Sequence, residues 1–133
     1  MAGQPAAAKD HRVTAVDTHI VMVPSPSGST PMPLPHSFNG ALDGALVSTV
    51  TIGGQAAAVV GSTATNTPAH LPTPPGASFQ SPPSDKATVQ VGSATVKIGG
   101  KAAARNGDTA TTCNDPADLP AGTVLAFGTV TIG

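Results

Sequence analysis

Four histidines and one cysteine are the first candidates in this sequence for binding a metal ion: His11, His19, His36, His70 and Cys113. Imidazole nitrogen and thiolate sulfur are preferred zinc ligands, and a closed structural site takes four donors. No Cys-x-x-Cys or His-x-x-x-His pair occurs, so local spacing assembles no site by itself. One cysteine cannot close an internal disulfide, which leaves Cys113 as a buried thiol, a nucleophile or a metal ligand. A nucleophilic cysteine needs a histidine base held by a third group. The chain has no Glu, no Gly-x-Ser-x-Gly and no His-Glu-x-x-His. A small zinc-dependent or Cys-based hydrolase is therefore the competing class, set against a structural, non-enzymatic role.

The elements that must position these residues are β-strands. Val96–Cys113 reads VKIGGKAAARNGDTATTC, Val50–Thr67 repeats its design as VTIGGQAAAVVGSTATNT, and Val130–Gly133 begins it again. Val96 follows Val50 by 46 residues, Asp108 follows Ser62 by 46, and 45 residues before Ser62 stands Asp17. A fixed period of this size marks repeated supersecondary units. The expectation is an all-β structure with approximate internal threefold symmetry, whose first copy turns at Asp17. Asp17 and Asp108 are read as turn formers, since Asp favours such positions. His19, His70 and Cys113 each follow one of the three turns, so the symmetry would gather their loops at one end. His36, at the tip of a proline-rich segment, is the candidate fourth donor; His11 precedes the first turn and is left out.

Along the chain, residues 1–12 lack periodicity and read as a mobile arm, followed by a single domain over 13–133. Short strands are expected around Asp17-Thr18-His19. Pro24–Pro35 holds five prolines and reads as a rigid loop rather than a strand, because proline cannot donate to a ladder. Two-residue turns predict hairpins at Asp43-Gly44, Gly53-Gly54, Gly92-Ser93, Gly99-Gly100 and Phe127-Gly128, with Asn106-Gly107 reversing the chain once more. Ser62–Asp85 reads as a long loop carrying His70, and Asp108–Asp118 as a polar loop carrying Cys113. No segment reads as a helix.

Composition narrows the function classes. Gly and Pro supply 29 of 133 residues, yet charge is sparse and the formal net charge is −1, unlike the high-charge composition of disordered chains. Six Lys plus Arg leave no electrostatic footprint for nucleic acid. No apolar run approaches a membrane span, and the start lacks the basic and apolar regions of a secretory signal. With three Phe and no Trp or Tyr, Val, Ile, Leu and Ala must fill a thin core.

KIGGKAAARNGD resembles the signature of the PAAR-repeat family, with Ala102-Ala103-Ala104-Arg105 where the family has Pro-Ala-Ala-Arg. Gln55–Val59 is a weaker copy, and Pro33–His36 with Phe38 and Gly40 is similar to a segment of PAAR-like proteins. The resemblance implies a cone-shaped, loop-rich β-hairpin protein capping the trimeric spike of a contractile injection system: a type VI secretion machine, tailocin or extracellular injection particle. It implies one structural Zn2+ near the point, held by His19, His36, His70 and Cys113. It also implies a valine-glycine-repeat or phage-like spike at the base, effector cargo as a further partner, and brief contact with a target membrane. Such a protein would be made in the cytoplasm and assembled at the particle tip. Val50, Ile52, Val96, Ile98, Val130 and Ile132 are candidates for the base or the core.

Overall fold

The computed structural model describes residues 3–133; Met1 and Ala2, the start of the expected arm, lie outside the described residues. The rest of that segment is no arm. Pro5–His11, Ala56–Ser62 and Ala102–Asp108 follow one path, so the first copy of the repeat turns at Asp10-His11 and not at Asp17. In each copy the last residue's amide donates to the carbonyl three residues back: His11 to Ala8 at 3.1 Å, Ser62 to Val59 at 2.9 Å and Asp108 to Arg105 at 3.1 Å. The same residue's side chain accepts the return bond, at His11 Nδ1 (3.1 Å), Ser62 Oγ (3.0 Å) and Asp108 Oδ2 (2.7 Å). The preceding position is left-handed in all three, with φ of 71° at Asp10, 97° at Gly61 and 89° at Gly107. Glycine is the usual residue there and Asp an accepted substitute, which hides the first copy from a search for Gly turns.

The middle alanines close a ring. Ala7 N–H donates to Ala104 C=O (2.9 Å), Ala104 N–H to Ala58 C=O (3.0 Å) and Ala58 N–H to Ala7 C=O (3.0 Å). All three side chains are fully buried. Three backbones drawn this close leave room for little more than a methyl group each, which accounts for the alanine runs.

Below the ring lie three two-stranded hairpins, which in chain order are split by the larger sheet. β1 (Gln4–Pro5) opens the chain, β2 (Arg12–Ser25) and β3 (Gly28–Gly44) follow, and β4 (Val47–Ile52) pairs with β5 (Gln55–Ala57). Next come β6 (Thr63–Asn66), β7 (Ser78–Phe79) and β8 (Lys86–Val89), then β9 (Lys97–Ile98) pairs with β10 (Lys101–Ala102). β11 (Thr109–Thr112), β12 (Leu119–Leu125) and β13 (Thr131–Ile132) complete the order, and β13 pairs with β1. Ile132 faces Gln4 as Ile52 faces Gln55 and Ile98 faces Lys101. The third hairpin is thus assembled from the two ends of the repeat. Gly53-Gly54 and Gly99-Gly100 make their turns with φ of 60° and 84°, and 59° and 82°, the doubly positive geometry that only glycine takes without strain.

Above the ring, β2, β3, β6, β8, β11 and β12 pair in sequence and β12 closes on β2, so six strands form a small barrel with no free edge in its closed rows. Val13, Ala64, Ala110, Leu42, Val89 and Val124 fill it, all buried, with Phe38 above them. A second cluster below the ring holds Ala6, Ala57, Val59, Ile98, Ala103 and Ile132. Val50 and Val130 are exposed beside it.

Other expectations are corrected by the non-local pairing. Asp43-Gly44 is the end of β3 rather than a hairpin; the reversal follows at Ala45, with φ 51°. The strands flanking Gly92-Ser93 and Phe127-Gly128 do not pair with each other, because β8 joins β6 and β11, while β12 joins β11 and β2. The stretches read as the long loops 62–85 and 108–118 contain β6 and β7, and β11, respectively. No described residue is helical.

Pro24–Pro35 is the largest correction. Most of it is β3, paired with β2 from Arg12↔Ala41 to Ser25↔Gly28. Pro31, Pro33 and Pro35 recur every second residue and face Met22, Ile20 and Thr18. In an antiparallel pair alternate residues direct their N–H away from the partner, so the spacing confines every missing donor to the outer edge. β6 covers that edge only along Gly40–Gly44. Six strands therefore narrow to the β2–β3 ribbon, bordered on its other edge only by the two residues of β7 at Val21 and Met22. From His19↔Leu34 the ribbon runs on to Ser25↔Gly28, a length of roughly 20 Å at the usual strand rise.

Candidate metal centre

Where the barrel gives way to the ribbon, four chain segments converge. β2 carries Asp17 and His19, β3 carries His36, the segment after β6 carries His70, and Cys113 follows directly on β11. His19 and His36 sit inside strands rather than in loops, and Asp17 lies in a strand interior instead of a turn. Two polar clasps fix the outer segments. Asn114 Oδ1 accepts from Thr18 N–H at 2.7 Å and Asp115 Oδ2 from Ile20 N–H at 2.8 Å, tying the Cys113 segment to β2. Asp85 Oδ1 accepts from His70 N–H at 2.9 Å and from Asn66 Nδ2 at 3.2 Å, tying down the His70 segment.

One donor atom each from Asp17, His19, His70 and Cys113 lies within 4.8 Å of the others, a group that could hold a metal ion. Of the expected ligands this brings together His19, His70 and Cys113. His36 adjoins the group, its ring 5.5 Å from that of His19 and 5.4 Å from that of His70. His36 Nδ1 donates to Leu34 C=O at 3.0 Å, which leaves Nε2 with a free lone pair, buried and without a partner. A buried acceptor normally finds a partner, so an orphaned imidazole nitrogen beside two more imidazoles and a thiol fits a metal-ligand position. His19 Nδ1 also lacks a hydrogen bond, with Asp115 Oδ2 standing 3.5 Å away. His11 stands elsewhere, against Phe127 at 4.9 Å.

Asp17 is the residue that sequence reasoning missed. It is fully buried and accepts from His70 Nε2 at 3.0 Å, from the Thr112 hydroxyl and from the Cys113 thiol at 3.5 Å. Asn66 fixes the direction of the first bond. Its Oδ1 accepts from Asn39 N–H, so its Nδ2 donates to His70 Nδ1 and the ring proton points at Asp17. Burial, and after it the Asp17 carboxylate, push the Cys113 thiol up to about 11. Burial and the neighbouring His70 hold His19 below the ordinary imidazole range. Phe79, placed by the pairing of β7 with β2, packs edge-on against His19 at 5.8 Å and tilted against His36 at 5.4 Å.

A family model for the PAAR motif matches residues 38–117, more than half of the chain. The chain belongs to the PAAR-motif family. Neither the curated proteins nor the solved structures give a significant match. The matched span contains the second and third copies of the PAAR repeat with His70 and Cys113, while Pro5–His11, Asp17, His19 and His36 precede it. The fold is the all-β architecture expected of a PAAR protein, and the first repeat copy at Pro5-Ala6-Ala7-Ala8 keeps the family's proline.

Proposed function

We propose that this PAAR protein is the structural tip of a contractile injection system, seated on a trimeric spike of valine-glycine-repeat or phage type. The observation that carries the reading is the Ala7–Ala104–Ala58 ring with its three base hairpins: one chain presents three near-equivalent faces around a centre. A single polypeptide with that symmetry can contact three identical subunits alike. Exposed Val50 and Val130 on the base side give an apolar docking surface, and the barrel narrows away from it to a two-stranded point.

In this reading one structural zinc is held by His19, His36, His70 and Cys113, the ion taking the place of the His70 Nε2 proton that faces Asp17. Zinc supplies four directional bonds where the chain is too thin for a hydrophobic core, and structural sites of this kind contribute on the order of 10 kcal/mol. The centre is structural rather than catalytic. The raised Cys113 thiol is the opposite of an activated nucleophile, and its burial keeps it from any substrate. The protein is made in the cytoplasm, rides the particle outward and meets the target membrane briefly.

Co-expression with a trimeric spike of valine-glycine-repeat type tests the role. One chain per spike trimer is expected, and Val50→Asp with Val130→Asp should abolish the complex while leaving the barrel folded. A stable complex with one chain per spike subunit, or none at all, would rule the reading out.

A further inference from the structure

We propose that Asp17 sets the charge of the metal centre and thereby its preference for a divalent over a monovalent cation; the inference rests on the metal-centre reading above. Three distances carry it. Asp17 Oδ2 lies 3.0 Å from His70 Nε2 and 3.5 Å from Cys113 Sγ, and Cys113 Sγ lies 3.7 Å from His19 Nε2. Zinc bonds of about 2.0–2.3 Å in a tetrahedron give donor-to-donor edges of roughly 3.3–3.7 Å. The Asp17–Cys113 and Cys113–His19 separations already match such edges, while the Asp17–His70 contact is shorter and is a hydrogen bond. All its visible contacts are with donors, the Thr112 hydroxyl, the His70 ring N–H and the Cys113 S–H, which is the pattern of an acceptor-only carboxylate. Asp85 and Asp115 stand behind His70 and His19, occupied with main-chain N–H groups and only partly buried, whereas Asp17 is fully buried.

A buried net charge is costly, so the favoured ion is the one that cancels the charge of its ligands. Neutral imidazoles contribute nothing, the Cys113 thiolate contributes one negative charge and Asp17 a second. A divalent ion brings that set to zero; a monovalent ion such as Cu(I), which thiolate and imidazole otherwise suit well, leaves it negative. Asp17 acts as a specificity and positioning residue, held in place by Thr112.

The test compares the full-length protein with Asp17→Asn, measuring Zn2+ and Cu(I) affinities by competition with chromophoric chelators. Asp17→Asn should bind Zn2+ about 10–100-fold more weakly, the usual scale for losing a group that supports a metal site, and Cu(I) as well as wild type or better. Equal loss for both ions, the mark of a merely structural role, would overturn the proposal, as would no change in either. Should the variant fail to fold, the Asp17 carboxylate carbon of the wild-type protein decides by NMR: its resonance should move on adding Zn2+, and an unmoved resonance overturns the proposal. Wild-type protein that binds no metal would defeat the metal-centre reading itself, whereas zinc-binding wild type with an indifferent Asp17→Asn defeats this inference alone.

Discussion

His70 Nε2 meets Asp17 Oδ2 at 3.0 Å across 53 residues of sequence. That contact joins the segment after β6 to the middle of β2, in the layer where the barrel runs out. Below it stand two apolar clusters and the alanine ring; above it only the β2–β3 ribbon continues, with the short β7 along β2.

Metal removal should therefore act locally. We expect one zinc per chain, lost in Cys113→Ser and in His19→Ala and retained in His11→Ala, as read by elemental analysis of the purified proteins. Hydrogen exchange after chelation should accelerate around 17–22, 66–71 and 113–116 while the amides of Ala7, Ala58 and Ala104 stay protected, since those bonds depend on no metal donor.

The ring alanines should tolerate nothing larger. Ala58→Leu is expected to cost at least about 1–3 kcal/mol, the usual range for overpacking a tight interior, in urea unfolding. Val16→Thr, at a position 64% exposed, should change stability by less than about 0.5 kcal/mol.

Stability of the metal-free protein should fall on both sides of neutrality. His19 is depressed below 6.5 in the fold, so the unfolded chain takes up the proton first; its contribution is present above that pH and fades as the pH drops. Cys113 is raised from 9.0 to about 11, so the folded thiol keeps a proton that the unfolded one releases. Its contribution is complete below pH 9.0 and is lost as the pH climbs towards 11, on the order of 2–3 kcal/mol for a shift of this size. Denaturant midpoints measured across pH should show both limbs, and Cys113→Ala should flatten the alkaline one.

Edge prolines keep the ribbon from pairing with copies of itself. Replacing Pro31, Pro33 and Pro35 together with Val restores three donors on the open edge of β3. Concentration-dependent dimers should then appear in sedimentation experiments, with wild type remaining monomeric in the absence of a spike.

Some of this was readable from residues alone. The Gly53-Gly54 and Gly99-Gly100 hairpins were, because a doubly left-handed turn admits few residues other than Gly. The gathering of His19, His70 and Cys113 followed from the repeat, although its first turn was placed at Asp17 and lies at Asp10-His11. There Asp10 takes the left-handed position without the glycine that marks the other copies. Proline at every second position defeated the reading of β3, since propensity counts prolines and not the edge they face. Asp17 was assigned by type as a turn former; nothing local to it announces three donors arriving from residues 53 to 96 positions away.

The alanine ring also constrains how the molecule comes into being. Ala7 leaves the ribosome early, yet its amide waits for the carbonyl of Ala104, and Gln4 waits for Ile132. Contacts so distant in sequence are slow to form. A nascent chain must therefore hold its valine- and alanine-rich segments open until the far strand arrives, and the three copies fold as one unit rather than stepwise.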